Sequence, residues 1–378
     1  MSARKKFLQN RPGKAGKIFD STKVYKQAEA LYCGYMSTGR KKVNVGVIGL
    51  GHQSLEDHIP AIFASPDAQL IAVSDIDKNK LESFSKENGN IHTYENFEDL
   101  LSSEKIDFVI IAVPHHLHKD IVKRAIEHKV HVLKEKPFTM SLAEGKEVKE
   151  LAEKNNVKIA LTLQRRFNPI YSTFFQFIDK IGTPFFIDAR YTFYTNSPHE
   201  GWRGKKELAG GGCLIDMGYH SIDLLMWYFG LPDSVIAETS CDAKEGISYD
   251  AEDTSQTLFR YSQKCILGSL LVSRVIPPKT EYFDVYGTRG IIHIERGKIE
   301  RRASNGEVQE SLSREHHWPS AAQDQLEHFI KVLSGEKENM TGPDFNYNHL
   351  AFIEAAYRSK IERKFINPKE LLDENGTK

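Results

Sequence analysis

The stretch V-N-V-G-V-I-G-L-G, from Val43 to Gly51, is an apolar run that ends in two glycines. The run predicts a buried β-strand over residues 43–50, and Gly49 and Gly51 predict a tight turn into a following helix. Amides at such a helix N-terminus can bind a pyrophosphate, because glycine places no Cβ atom in its way. Ser54 stands where the usual fingerprint has a third glycine. Alone, the turn fits a purely conformational use of glycine as well as it fits a dinucleotide site.

After this turn, short apolar runs alternate with helical patterns. Such alternation is typical of βαβ units in a parallel sheet that is covered on both faces, so it predicts a doubly wound α/β domain over residues 43–163. Strands are predicted at 43–50, 69–75, 108–113, 130–133 and 158–163, and helices at 78–86, 119–127 and 142–154.

The second half of the chain, residues 164–365, has a different character. Its runs favour strands at 185–194, 234–240, 254–261, 266–273, 282–286 and 291–295, with few helices between the later ones, which predicts a mainly antiparallel sheet. The tetrapeptide G-T-R-G at 287–290 predicts a hairpin turn, and helices are predicted at 321–333 and 347–359. Residues 366–378 are interpreted as a C-terminal tail.

Composition and charge restrict the function classes. Lys plus Arg and Asp plus Glu both total 51, so no global field attracts nucleic acid or an acidic membrane, and a small-molecule ligand is expected. The four cysteines show no C-x-x-C spacing, which argues against a zinc ribbon, a redox dithiol or a secreted disulfide framework. Without a long apolar stretch or a signal-peptide core, the chain is expected to be a soluble protein of the reducing cytoplasm.

Residues 1–42 form a basic extension, in which many lysines and arginines are opposed only by Asp20 and Glu29. It can be a solvated or partly helical segment packed on a neighbouring surface, an organellar targeting peptide or a contact for a polyanion. The sequence does not decide between these interpretations.

Two carboxylates and a lysine follow predicted strand ends. Asp75 closes the second strand where a ribose-binding carboxylate belongs, and its charge would repel a 2′-phosphate, so NAD is preferred over NADP. An aspartate there can instead cap the next helix, although Asp77 is better placed for capping. Glu135-Lys136-Pro137 follows the run 130–133, which places Lys136 at the crevice where open α/β sheets hold their ligands.

Asp216 and His220 lie four residues apart in the second half of the chain. A helix that begins here would project both side chains from one face, where they could share one substrate. The glycines at 210–212, just upstream, allow a close approach of the backbone to another segment or a ligand. Alone, such a pair is more often found on a protein surface.

Together, these segments resemble the Gfo/Idh/MocA family of nicotinamide-dependent sugar and cyclitol dehydrogenases. The resemblance runs in the family's order from Val43 to Arg363, and the combination of E-K-P with the glycine-rich D-x-x-x-H segment is its most specific part. It implies a Rossmann domain followed by an α/β domain with an open, mainly antiparallel sheet, whose free face supports a homodimer or homotetramer. The matching segments are V-G-V-I-G-L-G from Val45, A-V-S-D from Ala72, A-V-P-H-H-L-H from Ala112, E-K-P from Glu135, Q-R-R-F-N-P from Gln164, G-W-R from Gly201 and G-G-G-C-L-I-D-M-G-Y-H from Gly210.

The resemblance also implies a role for individual residues. Glu135 would approach the nicotinamide ribose, and Lys136 would hydrogen-bond the reacting hydroxyl and stabilise negative charge on its oxygen. Asp216 would orient the substrate and the ammonium. His220 would be the acid–base group, which removes the hydroxyl proton as hydride leaves the same carbon for the nicotinamide.

Further residues are implied around the cofactor and the substrate. Pro114, His115 and His118 would lie on the cofactor side, although His115 stands where many relatives carry asparagine. No metal is predicted at these histidines, since no carboxylate or cysteine follows at a ligand-like interval. Arg166 and Arg203 could bind substrate oxygens. Structural uses are equally open: Arg166 could brace the domain junction, and Arg203 could stack on its aromatic neighbour.

The leading hypothesis is reversible NAD-linked oxidation of a secondary alcohol on a sugar, sugar derivative or cyclitol, with Lys136, Asp216 and His220 as the catalytic set. One alternative is an NAD-dependent glycosidase, which oxidises a ring hydroxyl transiently and then eliminates the glycosidic bond. The other is a non-catalytic dinucleotide-sensing regulator. The presence of all three catalytic candidates argues against a sensor, which needs none of their proton chemistry.

Overall fold

The computed structural model describes residues 41–314 and 318–374. The basic extension predicted over 1–42 therefore lies outside the described residues, except for Lys41 and Lys42. The segment interpreted as a tail, 366–378, is described as far as Glu374. Within it Ile366 forms an antiparallel bridge with Val235, so this segment packs on the second sheet.

The first sheet contains six parallel strands. They are β1 (Val43–Ile48), β2 (Ala68–Ser74), β3 (His92–Tyr94), β4 (Phe108–Ile111), β5 (His131–Lys134) and β6 (Ile159–Leu161). The connecting helices are α1 (Ile59–Ala64), α2 (Lys78–Asn88), α3 (Phe97–Ser103), α4 (His115–Glu127) and α5 (Leu142–Asn155), with a π-helical turn, Ser54–His58, before α1. The strand order is β3-β2-β1-β4-β5-β6. This is the doubly wound Rossmann order, and it confirms the predicted fold class.

The central strands of this sheet are buried on both faces. Val45, Val47, Val109 and Val132 are all 0% exposed, which explains why β1, β4 and β5 read as continuous apolar runs rather than alternating patterns. The edge strand β3 was not predicted, because it is short and its sequence, H-T-Y, is polar. Asp77 caps α2 by accepting a hydrogen bond from the Asn79 amide, as predicted.

The second sheet contains eight strands. They are β7 (Pro184–Tyr194), β8 (Ser234–Ser240), β9 (Thr254–Tyr261), β10 (Ile266–Ser273), β11 (Val275–Gly287), β12 (Gly290–Glu295), β13 (Lys298–Arg302) and β14 (Val308–Ser313). Their order is β14-β13-β12-β11-β7-β10-β9-β8, and every neighbouring pair is antiparallel except β7 with β10. The mainly antiparallel sheet is thus confirmed, and Gly287 pairs with Gly290 across the predicted hairpin turn.

Helices of the second half cover this sheet and return to the first domain. They are α6 (Pro169–Ser172), α7 (Phe174–Phe177), α8 (Lys206–Ala209), α9 (Cys213–Asp216), α10 (Tyr219–Phe229), α11 (Trp318–Leu333), α12 (Pro343–Glu362) and α13 (Pro368–Glu374), with 3₁₀ turns at Gln164–Phe167, Ile178–Ile181 and Trp202–Gly204. The ring of Phe329 in α11 meets Phe108 of β4 edge-on, with centroids 5.3 Å apart. A Cβ atom at Gly145 in α5 would lie 3.0 Å from Leu350 in α12, so glycine permits these helices to pack closely.

The prediction of one helix that carries both Asp216 and His220 was wrong. Helix α9 ends at Asp216, and α10 begins at Tyr219. The His220 amide lies 3.4 Å from the Met217 carbonyl rather than bonding to Asp216, so the regular ladder of hydrogen bonds is interrupted between the two helices. The side chains of Asp216 and His220 are therefore positioned separately.

Within residues 41–314 and 318–374, no helix combines the length and the apolar character needed to cross a membrane.

Candidate active site

The glycine turn after β1 has the backbone that a dinucleotide site requires. Gly49 has a φ of 97°, and a Cβ atom there would lie 2.4 Å from the Ala112 carbonyl oxygen, so only glycine fits. At Gly51 the nearest atom is 4.0 Å from an added Cβ, which leaves an open approach for a diphosphate. Ser54, at the place of the missing third glycine, is fully buried and donates its hydroxyl hydrogen to the Gly49 carbonyl. The serine thus closes the turn from inside.

Asp75 is fixed beside this turn at the end of β2. Its Oδ2 accepts a hydrogen bond from the Leu50 amide at 2.6 Å, and its Oδ1 accepts one from the Asp77 amide at 2.9 Å. The side chain is 9% exposed, and Lys80 Nζ lies 3.5 Å from Oδ2. The carboxylate therefore stands at the turn itself, while Asp77 does the capping.

Pro114 and His115 follow β4, at the start of α4. His115 Nδ1 donates a hydrogen bond to the Ala209 carbonyl at 2.8 Å, and its ring packs against Trp202 with centroids 4.4 Å apart. Burial lowers the pKa of His115 to about 3. His115 is therefore a neutral side chain of the first domain that is anchored on the second.

His118 links two turns within the first domain. Its Nε2 lies 2.9 Å from the Val113 carbonyl, and its Nδ1 lies 3.4 Å from the Pro137 carbonyl. The ring is 1% exposed, and burial holds its pKa well below the usual value. His118 thus contacts the backbone on either side of the predicted cofactor crevice.

Glu135 follows β5 and is joined to the turn after β1 by His58. His58 Nε2 lies 2.9 Å from Glu135 Oε1, and the two side chains are 4% and 14% exposed. Burial alone would raise the pKa of Glu135, but the His58 hydrogen bond and the charge of Lys136 bring it below its ordinary value. Glu135 is therefore an ionised carboxylate at the crevice.

Lys136 reaches across the domain junction to Asp216. Its Nζ lies 2.7 Å from Asp216 Oδ1 and 2.7 Å from the Asp216 carbonyl oxygen. The second contact accounts for the break between α9 and α10, since the Asp216 carbonyl accepts from the ammonium instead of from the His220 amide. The two side chains are 14% and 10% exposed, so the pair is largely shielded from solvent.

Asp216 is also bound from the solvent side. Arg203 Nε donates to Asp216 Oδ2 at 3.0 Å, and the Arg203 guanidinium lies 4.3 Å over the Trp202 ring. Burial opposes ionisation, but the charges of Lys136 and Arg203 hold the pKa of Asp216 well below its usual range. Asp216 is therefore a carboxylate that orients an ammonium on one side and a guanidinium on the other.

His220 lines a cleft in the second domain. Burial, together with the charges of Arg165 and Lys136, lowers its pKa to about 3. The imidazole is thus neutral at neutral pH, and it is a weaker base than an ordinary histidine.

Arg166, predicted to bind substrate or to brace the junction, does not line this cleft. Its Nε and Nη2 donate to the Asp223 carboxylate at 3.0 Å and 2.7 Å, and Nη1 bonds to the Met340 carbonyl. Asp223 Oδ1 also accepts a hydrogen bond from His349 Nε2 at 2.9 Å. The Arg166 side chain is 1% exposed, so its position is that of a bracing residue.

Arg165, one residue earlier, lines the cleft instead and is paired with Glu281 of β11. Sequence reasoning missed this pair. The doublet Arg165-Arg166 was the available signal, because successive side chains of a 3₁₀ turn point about 120° apart, at three residues per turn. One of two adjacent arginines therefore faces the cleft and the other the interior.

Lys134, the last residue of β5, was also missed. Its side chain is fully buried, and Nζ donates to the carbonyls of Glu135, Pro137 and Phe138. Burial lowers its pKa to about 7. The ammonium thus holds the turn that presents Glu135 and Lys136, and a lysine directly after the run 130–133 is the signal that could have indicated it.

In the part of the chain that the structure describes, no three His, Cys, Asp or Glu side chains are grouped as metal ligands.

The buried histidines predict that the protein loses stability in mild acid. The unfolded pKa of His115 and His220 is about 6.5, whereas the folded value is about 3, so below pH 6.5 only the unfolded chain binds these protons. The free energy of unfolding should fall as the pH drops from 6.5 towards 3, by up to about 1.4 kcal/mol per pH unit and group. Urea unfolding at pH 7.5, 6.5, 5.5 and 4.5 measures it.

His115→Asn provides the control for this effect, because asparagine keeps polar contacts and does not titrate. The variant should lose stability less steeply over the same pH range. Equal slopes for the two proteins would contradict the assignment.

Two family models match this chain. The NAD-binding Rossmann fold of the oxidoreductase family GFO_IDH_MocA matches residues 43–163, and the GFO/IDH/MocA C-terminal domain matches residues 178–293. The chain belongs to the Gfo/Idh/MocA family. The first match contains the glycine turn, Asp75, His115 and Glu135-Lys136, and the second contains Asp216 and His220.

Characterised members of the Gfo/Idh/MocA family are similar to this chain over most of its length. The trans-1,2-dihydrobenzene-1,2-diol dehydrogenase of Xenopus laevis is 28% identical over 66% of this chain and 74% of its own length. The D-xylose 1-dehydrogenase (NADP(+)) 2 of Haloferax volcanii is 26% identical over 65% and 73%. A levoglucosan dehydrogenase, solved with NADH and levoglucosan, shares the fold with a TM-score of 0.78 at 18% identity, over 86% of this chain and 99% of its own.

Proposed function

We propose that this chain transfers hydride between NAD and a secondary alcohol of a sugar, sugar derivative or cyclitol. The observation that carries the proposal is the contact of Lys136 with Asp216, 2.7 Å across the domain junction, four residues before His220 in the chain. The named relatives that act on xylose, a dihydrodiol and levoglucosan support the same substrate class.

Lys136 and His220 divide the work on the reacting alcohol. Asp216 accepts two of the three N–H groups of Lys136 and leaves the third for the alcohol oxygen, on which it stabilises negative charge. His220 is neutral and takes the hydroxyl proton. Arg203, held on Asp216, is the substrate-binding arginine in this proposal.

The crevice residues fit a dinucleotide. The open approach at Gly51 suits the diphosphate, Asp75 suits a ribose diol, and Glu135 suits the nicotinamide ribose. Pro114 and His115 would flank the nicotinamide, and His118 would act through the backbone carbonyls that it contacts. When bound, the nicotinamide supplies the carbon that accepts or returns the hydride.

A steady-state assay tests this proposal. The protein is incubated with NAD or NADP and a panel of monosaccharides, their methyl glycosides, myo-inositol and scyllo-inositol. NADH formation with at least one neutral polyol supports the dehydrogenase. Cleavage of a methyl glycoside without net NADH would identify the glycosidase, and NAD binding without either reaction would leave the sensor.

Asp75→Asn should weaken the preference for NAD over NADP. Asparagine retains an oxygen for the Leu50 amide but loses the charge that repels a 2′-phosphate, so the ratio of kcat/KM for NAD to that for NADP should fall about 10- to 100-fold. Asp77→Asn, two residues further along the chain at the cap of α2, serves as the control and should keep the ratio. An unchanged ratio in Asp75→Asn would contradict the ribose assignment.

A cytoplasmic homodimer or homotetramer completes the proposal. Leu258 and Leu267, on neighbouring strands β9 and β10, are 42% and 50% exposed on the face of the second sheet opposite the buried Phe259 and Ile266. Light scattering of the purified protein gives the oligomeric order, and a monomer would contradict this part.

A further inference from the structure

The cleft beside His220 contains an ion pair that none of the roles above uses. Its walls come from separate parts of the second domain: Arg165 from the 3₁₀ turn Gln164–Phe167, Tyr171 from α6, Tyr191 from β7 and Glu281 from β11.

Arg165 and Glu281 are shielded but face the cleft. Their side chains are 14% and 13% exposed, and Arg165 Nη2 donates to Glu281 Oε1. Burial acts against the charge of Arg165, but the charge of Glu281 raises the pKa of the guanidinium overall, so the guanidinium is charged.

The pair has hydrogen-bonding capacity beyond its mutual contact. A guanidinium carries five N–H donors, and a carboxylate has about four acceptor sites. Among the described residues, the side chain of Arg165 donates one hydrogen bond, to Glu281, and Glu281 accepts that one alone. Arg165 and Glu281 can therefore offer donors and acceptors side by side to a ligand.

The neighbouring tyrosines supply an apolar wall. The Arg165 guanidinium lies 5.6 Å over the Tyr171 ring, and Tyr171 is 4% exposed. Tyr191 lies directly opposite Glu281 in the pairing of β7 with β11, and burial and the charge of Glu281 both raise its pKa. Aromatic surface beside paired donors and acceptors suits a ring whose faces carry C–H groups and whose edge carries hydroxyls.

We propose that the Arg165–Glu281 pair binds two adjacent hydroxyls of a ring sugar or cyclitol, with the guanidinium donating to one oxygen and the carboxylate accepting from the neighbouring O–H. Within the pair Glu281 neutralises Arg165, and Arg296 lines the same cleft and adds a positive charge there. The inference rests on the proposed function, since it assigns the non-reacting part of the same substrate.

Deoxy substrates combined with conservative variants test the inference. The best monosaccharide or cyclitol of the panel and each of its monodeoxy analogues are assayed with the wild type, Glu281→Gln and Arg165→Lys. In the wild type, loss of either of two adjacent hydroxyls should lower kcat/KM at least about tenfold, because a site built to bind a hydroxyl rejects the analogue that lacks it. In Glu281→Gln, kcat/KM for the parent substrate should fall by a similar factor. For the analogue that lacks the Glu281-bound hydroxyl, kcat/KM should be nearly the same in the variant and the wild type. Arg165→Lys should lower kcat/KM for the parent in the same way and should barely change it for the analogue that lacks the Arg165-bound hydroxyl.

The matched control is Glu295→Gln on β12, whose side chain is 46% exposed and should leave every ratio unchanged. An equal fall in kcat/KM for the parent and all analogues would show a structural role and overturn the inference. Unchanged kinetics in both variants would overturn it as well.

Sugar binding without nicotinamide separates this inference from the proposed function. Saturation-transfer NMR measures binding of the same monosaccharides and cyclitols to the wild type and to Glu281→Gln. If no polyol is oxidised but binding depends on Glu281, the proposed function fails and the inference stands. If none binds to the wild type, the inference fails.

Discussion

Replacing Lys136 with alanine is expected to lower kcat/KM for polyol oxidation about 10²- to 10³-fold. In the proposed mechanism, the variant removes a donor to the oxygen on which negative charge develops, and loss of one such donor typically costs that factor. Lys136 is fixed by two contacts to Asp216, so no rearrangement replaces it easily. Steady-state kinetics with the best polyol of the panel measures the loss. Lys154→Ala, at an exposed position late in α5, is the control and should keep full activity.

His220→Ala separates proton transfer from charge stabilisation. In this variant kcat/KM should be about 10²- to 10⁴-fold lower at neutral pH. Part of the lost activity should return at high pH, where solvent base can take the hydroxyl proton. Because the proposal has Lys136 and His220 act on one alcohol, the double variant should lose much less kcat/KM than the product of the two single losses. Strictly multiplicative losses would show that the two residues act independently.

Replacing Asp223 with alanine is expected to cost the fold about 3–5 kcal/mol. The change leaves the Arg166 guanidinium buried without its carboxylate, and such broken buried pairs are destabilising by this amount. His349 loses its acceptor at the same time. The free energy of unfolding, measured by urea titration at pH 7, gives the effect.

Asp120→Ala, on the exposed face of α4, is the control for this measurement and should change stability by less than about 0.5 kcal/mol. If Asp223→Ala costs under 1 kcal/mol, Arg166 is not a brace between the described segments. That result would favour the other interpretation of Arg166, as a substrate-binding residue.

The fold could be predicted where buried periodicity is strong. The runs that became β1, β2, β4, β5 and β6 were found because both faces of these strands are packed, and the glycine turn after β1 fixed the start of the domain. Strands β13 and β14 were missed, because their sequences, K-I-E-R-R and V-Q-E-S-L-S, carry mostly polar side chains at the edge of the second sheet. An edge strand with a wet face resembles a loop in sequence.

The site residues could be predicted where a sequence motif fixes the backbone. They could be predicted less well where the direction of a side chain decides whether it reaches the site. The structure brings Lys136 and Asp216 together, although they are 80 residues apart in sequence. The prediction of one helix that carries both Asp216 and His220 was wrong. Spacing alone does not indicate that the Asp216 carbonyl will accept a hydrogen bond from a distant ammonium.

The choice between Arg165 and Arg166 shows the same limit. Spacing predicted an arginine at the substrate, but a rotation of one residue in a 3₁₀ turn decides which guanidinium faces the cleft. Its partner Glu281 lies one residue before the strand predicted at 282–286, in a run that gave no signal of its own. A contact of this kind, between a turn and a distant strand, becomes visible only in three dimensions.

A crystal structure of the protein with NAD and the best polyol of the panel tests the central claim most directly. The expected result is one alcohol oxygen within hydrogen-bonding distance of both Lys136 Nζ and a ring nitrogen of His220, with its carbon against the nicotinamide. A polyol bound with that oxygen beyond the reach of either side chain, or in a cavity that does not join the crevice to the cleft of His220, would contradict the proposed chemistry.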